Sequence, residues 1–442
     1  MEAAACVPTS LRIRETHTHA IIPAMPAEQQ AGSGICTAPD KIRPWASLAF
    51  RDYRFLWASV LFGNLSTQTR QFVSIWLVFE ISGSPLQLGL TGLFQALPLL
   101  AIGLFAGAVA DSVDRRKLLL ATQVANMALA LALGFLALSG VIQVWHIYII
   151  AILTSTVNAF GWPTRTALVS NLVPPTHIMN ALATLSGSQQ VVMMLGPLLA
   201  GLSIAAMGAG STYLVNAAIL VPALIALLLM RGELGSTRGR PRVTGKALIE
   251  GLRFVWITRV LLAIIVLDTL VMVFGFYQPL MVIFAKDVFH VGSAGLGALL
   301  SAPAVGAALA TLVLLTLGNV ERKGLLVLSV MALYSATVML FGVSPWFAMA
   351  LVLGAILGFA DSLGLTPRTA MVQLLSPAHM RGRANGMFFL SAGVANNMGF
   401  LVMGVMAELI GPRLTMLVGG GIGLSAVLLV WVGWKTLREF RG

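Results

Sequence analysis

Apolar residues run through this chain in long blocks, without the strict alternation of a half-buried strand or the single stripe of a water-soluble helix. A helix rises 1.5 Å per residue, so about 20 mostly apolar residues are needed to cross about 30 Å of hydrocarbon. Twelve blocks reach that length: 56–79, 86–110, 118–138, 144–162, 181–207 and 212–230, then 260–284, 296–317, 325–343, 346–365, 386–409 and 414–432. Each predicts a spanning helix, because lipid accepts only a backbone that satisfies its own N–H and C=O groups. Polar stretches punctuate the blocks, and the longest internal one carries Arg238, Arg240, Arg242 and Lys246. The expected organisation is all-α and polytopic: a tail at 1–50, a six-helix bundle at 51–231, a linker at 232–259, a second six-helix bundle at 260–434 and a short tail at 435–442.

Composition agrees with the pattern. Hydrophobic residues make up 58% of the 442 and charged residues 10%, which no water-soluble globule of this length could hide. The formal charge of +12 raises nucleic acid as a partner, so the placement of the charge decides. Of the 28 Lys and Arg, 25 fall in the termini and even-numbered connections, which share one side after twelve crossings. Only Lys286 and Arg413 fall on the other side, and Arg70 lies within the first span. That asymmetry orients a multi-pass protein with both termini in the cytoplasm and excludes a nucleic-acid role. The first 50 residues hold no long apolar run, so a flexible cytoplasmic tail is expected there and no cleaved signal peptide. Cys6 and Cys36 are too few for a disulfide framework, and His17 and His19 lack a third ligand nearby, so neither metal nor cofactor is expected. Phosphate-binding loops, zinc-protease spacings and nucleophile settings are all missing from the sequence, which argues against an enzyme.

The chain also repeats itself. Arg165-Thr166-Ala167-Leu168-Val169, placed after the fourth block, returns 203 residues later as Arg368-Thr369-Ala370-Met371-Val372, and the same offset maps Gly196 and Gly201 onto Gly399 and Gly404. Ser112 to Arg116 has a weaker echo in Asn319 to Lys323. Duplicated bundles with a site between them are a common transporter plan. Gly107 to Lys117, including Asp111, Asp114, Arg115 and Arg116, resembles the signature loop of the major facilitator superfamily, with Ser112 and Asp114 departing from the usual basic residue and glycine. Phe50 to Trp57 and Pro163 to Val169 are similar to its drug-efflux and siderophore-export branch. Gly196-Pro197-Leu198-Leu199-Ala200-Gly201 resembles the antiporter motif of drug exporters, with Ala200 in place of one glycine. The resemblance implies two pseudo-symmetric six-helix bundles in a bacterial inner membrane, a small-molecule substrate, protons and lipids as partners, and a monomer.

Polar side chains inside spans are costly and usually face a cavity or a partner. Asn64, Gln68 and Gln71 recur at helical spacing in the first span, making them cavity candidates together with the adjacent Arg70, and Gln189, Tyr277 and Asn396 extend that set. Asp268, at the repeat position of Asn64, is the proton-coupling candidate, and Arg70 is a possible partner for it. Asp361 and Arg368, at the cytoplasmic end of the tenth span, read as a gate or fixed ion pair alongside the signature loop. Pro197, flanked by Gly196 and Gly201, predicts a bend with close helix approach. The block at 144–162 lacks the mid-helix arginine of many proton-coupled exporters and holds only His146, which weighs against antiport. Three readings follow. The first is a proton-coupled exporter of amphipathic molecules, the second a dedicated siderophore or metabolite exporter, and the third a lipid flippase or transport-inactive membrane partner with Arg70 as a headgroup site.

Overall fold

A computed structural model describes residues 45–231, 250, 253–318, 321–377 and 380–440 of the chain. Residues 1–44 of the expected tail and most of the linker at 232–259 lie outside the described residues. Every regular element among the described residues is helical: α1 (Arg51–Ser82), α2 (Pro85–Ser112), α3 (Arg115–Leu138), α4 (Val144–Leu172) and α5 (Ile178–Leu229), then α6 (Arg259–Gly275), α7 (Gln278–Ile283), α8 (Gly292–Leu317), α9 (Lys323–Gly342), α10 (Phe347–Leu375), α11 (Arg381–Ile410), α12 (Pro412–Gly433) and α13 (Lys435–Arg438). Nine stretches among the described residues are long and apolar enough to cross a membrane. The longest, 55 residues from Pro175 to Leu229, doubles back at Gly208, whose φ of 82° favours a residue without Cβ. α1 has ample length at 32 residues, but Asn64, Gln68, Arg70 and Gln71 lower its apolar character and keep it out of that set.

Two expectations about element boundaries change. The span expected at 260–284 is broken, because α6 stops at Gly275 and α7 begins at Gln278. Pro279 supplies the reason: it has no N–H to return to the carbonyl four residues earlier, which is that of Gly275. The Tyr334 hydroxyl donates to this orphaned Gly275 oxygen at 3.1 Å and stabilises the break. The second change is length, since α4 runs to Leu172 and α10 to Leu375, well past the expected ends at 162 and 365. Arg165 and Arg368 therefore stand on helices and not in the connections that follow them.

Helices α1–α5 pack chiefly among themselves, and so do α6–α12. Two seams join these groups, α2 against α11 and α5 against α8. Both are built on glycine. A Cβ on Gly404 would lie 2.6 Å from the Gly89 Cα and 2.7 Å from the Pro85 oxygen, and one on Gly297 would lie 2.7 Å from the Pro197 oxygen. Gly201 faces Gly297 across the second seam as Gly404 faces Gly89 across the first, so the repeated glycines make matching close approaches. Among the described residues, three hydrogen bonds cross between the groups, all near these seams. Ser293 Oγ donates to the Gly201 carbonyl at 3.1 Å. Glu408 Oε2 accepts from Ser84 Oγ at 2.8 Å and from the Leu86 amide at 3.0 Å, placing an anion on the N-terminus of α2.

The seam yields a first prediction. Gly404→Val drives side-chain atoms into the Gly89 backbone and disfavours the closed seam by about 1–3 kcal/mol, the usual cost of overpacking. Spin labels at the exposed positions 81 and 409 should report a longer distance in this variant than in the parent, and an unchanged distance would refute the close-approach argument.

Candidate functional site

A cavity of ≈ 550 Å³ lies where the two groups meet. From the first group come Gln68, Gln71 and Phe72 of α1, Gln95 of α2, and Gln190 and Met193 of α5. The second group contributes Met272 of α6, Phe276 and Tyr277 at the break, Tyr334 of α9, Asp361 of α10, and Asn396, Asn397 and Phe400 of α11. The wall thus combines aromatic and thioether surface with several amides, a lining that suits ligands with an apolar body and a few polar groups.

Behind this wall the ionisable residues form one cluster. Asp268 is buried in α6 and bonds the Arg368 guanidinium on α10. Through Nη2 the same guanidinium reaches Asp361 Oδ1 at 3.0 Å, and its Nε donates to the Gly364 carbonyl at 3.0 Å. Asp268 and Arg368 have side chains 4% exposed, whereas that of Asp361 is 51% exposed, so the third member of the cluster opens to the cavity. Three consequences depart from expectation. Asp268 is paired with Arg368, not Arg70, and Asp361 is a cavity residue as well as half of an ion pair. Arg70 is buried away from the lining, donating to Asn126 Oδ1 at 2.9 Å, while Asn126 Nδ2 donates to Asn158 Oδ1 at 3.2 Å.

The first group holds the counterpart of this cluster. Arg165 Nη1 donates to Asn64 Oδ1 at 2.8 Å, the contact that the repeat maps onto Arg368 and Asp268. Asn158 stands seven residues before Arg165 as Asp361 stands seven before Arg368. Amides occupy the first half where carboxylates occupy the second. Because α4 extends through Arg165, the fourth span does carry an arginine, near its end rather than at its centre.

The remaining sequence candidates divide between the cavity and the scaffold. Gln68, Gln71, Tyr277 and Asn396 line the cavity, while Asn64 is bound to Arg165 and Gln190 lines it in place of Gln189. Tyr334, Gln95 and Phe276 line it without having been singled out; the Gln278-Pro279 pair was the readable signal for the break that exposes Phe276. Gly196 packs on Gln68, its added Cβ falling 2.9 Å from that residue's Cβ, and Pro197 both lines the cavity and meets α8. Asp114 caps α3, accepting from the amides of Arg116 at 2.9 Å and Lys117 at 3.3 Å, which explains an acid at the usual glycine position. Arg116 donates to the Leu227 and Leu228 carbonyls at 2.9 and 2.8 Å and so closes the C-terminal end of α5. Arg115 is buried. Gly107 and Asp111 fall within α2, and the surroundings of both lie outside the described residues.

Comparison with known proteins places this geometry in context. A family model described as transmembrane secretion effector matches residues 42–440. The multidrug efflux pump Tap of Mycolicibacterium fortuitum is 26% identical over 86% of this chain and 96% of its own. The enterobactin exporter EntS of Shigella flexneri is 26% identical over 77% of this chain and 81% of its own. Among solved structures, a POT family transporter superposes with a TM-score of 0.71 at 13% identity over 88% of this chain and 97% of its own. The nucleoside transporter NupG gives a TM-score of 0.67 at 12% identity over 88% of this chain and 99% of its own. At these identities the structural likeness concerns the fold.

Removing Arg368 strands two carboxylates, one of them fully buried. Arg368→Ala is expected to destabilise the protein by about 3–5 kcal/mol, the cost of an uncompensated buried charge. Tyr334→Phe, which only frees the Gly275 carbonyl, should cost about 1 kcal/mol. Unfolding in a mild detergent, followed by tryptophan fluorescence, ranks the two; an equal or reversed order contradicts the central role given to Arg368.

Proposed function

Because the chain belongs to the transmembrane secretion effector family of major facilitator transporters, we propose that it is a secondary active exporter of small amphipathic molecules, driven by proton antiport and working by alternating access. It crosses the bacterial inner membrane twelve times as a monomer, with bundles at 51–231 and 260–434 and both termini in the cytoplasm. Helices α1–α4, the two arms of α5, the composite of α6 and α7, and α8–α12 provide the twelve crossings. The basic residues support the orientation, since Lys286 and Arg413 are the two assigned to the seam end, which becomes the outer face.

The observation that carries this reading is the amide- and aromatic-lined cavity at the junction of the two groups, with the Arg368 cluster in its wall. The glycine seams hold the outer end shut, so the cavity serves the cytoplasmic side in this conformation. Parting the seams while the opposite ends close would pass the contents outward, a rocking of one bundle on the other. Asp268 and Asp361 share a single guanidinium, which leaves one of them able to take a proton without stranding Arg368. A broad substrate range draws support from the similarity to Tap, a multidrug efflux pump, and a dedicated siderophore exporter from the similarity to EntS. The varied apolar and amide lining favours the broad reading. A flippase that recruits headgroups through Arg70 loses its basis, because Arg70 is buried and bound to Asn126.

Proteoliposomes with an imposed pH gradient test the coupling. Substrate addition should release protons through the parent protein, and Asp268→Asn should reduce that flux by at least about tenfold, as loss of an essential proton-transfer group does. Undiminished flux in Asp268→Asn removes this residue from the coupling path. Secretion of an iron chelator by expressing cells, without resistance to any toxic compound, would favour the dedicated exporter.

A further inference from the structure

We propose that the cavity selects amphipathic monocations, with Asp361 as the group that contacts their charge. This rests on the exporter reading for the use of the site, though not for its ligand chemistry. Asp361 is the one formally charged residue among the described residues that line the cavity. Its carboxylate is half exposed to that space, whereas Asp268 and Arg368 are almost completely withdrawn from it. One guanidinium faces two carboxylates, so the cluster keeps a net charge of −1 at the wall. The first half adds no matching acid: the repeat positions of Asp268 and Asp361 hold Asn64 and Asn158, both engaged in hydrogen bonds. In that half Arg165 and Arg70 are tied to Asn64 and Asn126, and neither they nor the buried Arg115 line the cavity.

The rings around the acid complete the site. Phe276 stacks on Tyr277 with centroids 6.4 Å apart, Tyr277 meets Tyr334 at 6.4 Å, and Phe400 lies 5.3 Å from Phe276. All four line the cavity together with Asp361. Aromatic faces attract cations and accept flat apolar bodies, and an anion in the same site would face both the rings and the carboxylate. The volume of ≈ 550 Å³ is within the range that holds drug-sized ligands. Amides from Gln68, Gln71, Asn396 and Asn397 can meet neutral polar substituents without changing the preference for charge.

The arrangement gives Asp268 a role at a distance from the ligand. By occupying Arg368 from behind, it prevents that guanidinium from neutralising Asp361, which makes it a positioning residue for substrate charge. Removing the Asp268 charge should therefore abolish cation preference although Asp361 remains in place.

Tetraphenylphosphonium and tetraphenylborate, nearly identical in shape and opposite in charge, test the proposal by titration calorimetry on the full chain in a non-ionic detergent. The parent should bind the cation at least about tenfold more tightly than the borate. Asp361→Asn and Asp268→Asn should each bring the ratio to within about twofold, and retained borate binding shows that the cavity is intact. Equal or tighter binding of the borate by the parent overturns the proposal, as does failure of the phosphonium to bind at millimolar concentration or survival of its preference in Asp361→Asn. Preference intact in the parent with no phosphonium efflux from loaded vesicles would refute the exporter reading and leave the site assignment standing.

Discussion

The arrangement depends on one buried guanidinium with two acidic partners. Arg368 on α10 binds Asp268 on α6 from behind and Asp361 on its own helix from the cavity side. A charge in the low-dielectric interior of a helix bundle persists only where partners offset its desolvation, so Arg368 and Asp268 constrain each other's position. The third member is then left with half a partner and an open face. Packing, charge and exposure converge on Asp361, the one formally charged residue among the described residues that line the cavity.

Around that cluster the fold supplies a frame that can close at one end. Glycines at 89, 201, 297 and 404 bring the two groups into backbone contact, and Glu408 ties α11 to the first turn of α2. Such contacts rest on shape and a few hydrogen bonds, with no large hydrophobic term, because lipid is as apolar as the helices themselves. They can therefore be broken and remade at modest cost. The break at Phe276 and Tyr277 lies beside the cavity, and the Tyr334 hydroxyl secures the carbonyl that Pro279 leaves unpaired.

Much of this was legible in the residues. Block lengths and the distribution of arginine and lysine indicated a polytopic helical chain, and the offset of 203 singled out Gly201 and Gly404, one glycine of each seam, but not their partners Gly297 and Gly89. Gln68, Gln71 and Asn396 were named because amides within spans need a cavity or a partner, and Tyr277 as adaptable aromatic lining; all four border the cavity. Arg70 misled, since spacing along α1 does not reveal Asn126 on a neighbouring helix. Asp361 and Arg368 were read as a gate or fixed ion pair at the end of a span; the ion pair is present, and ten further helical residues place Arg368 on the same helix, one to two turns beyond the acid. The arginine sought in the middle of the fourth span was present further along it, as Arg165, on a helix that continues through Pro163. The difference between the halves was visible in the repeat itself, where Asn64 and Asn158 stand opposite Asp268 and Asp361, but its meaning needed the arginine contacts.

The central claim is that the sharing of Arg368, and not any single acid, sets the charge available to the cavity. A compensating pair of substitutions measures this most directly. Asp268→Asn alone hands Arg368 wholly to Asp361, whereas Asp268→Asn combined with Arg368→Gln removes both buried charges and leaves Asp361 as the remaining one. The preference for binding tetraphenylphosphonium over tetraphenylborate, read by titration calorimetry and independent of proton-driven transport, should be lost in the single variant and recovered in the double to within a few-fold of the parent. A double variant as indifferent to charge as the single one would contradict the claim.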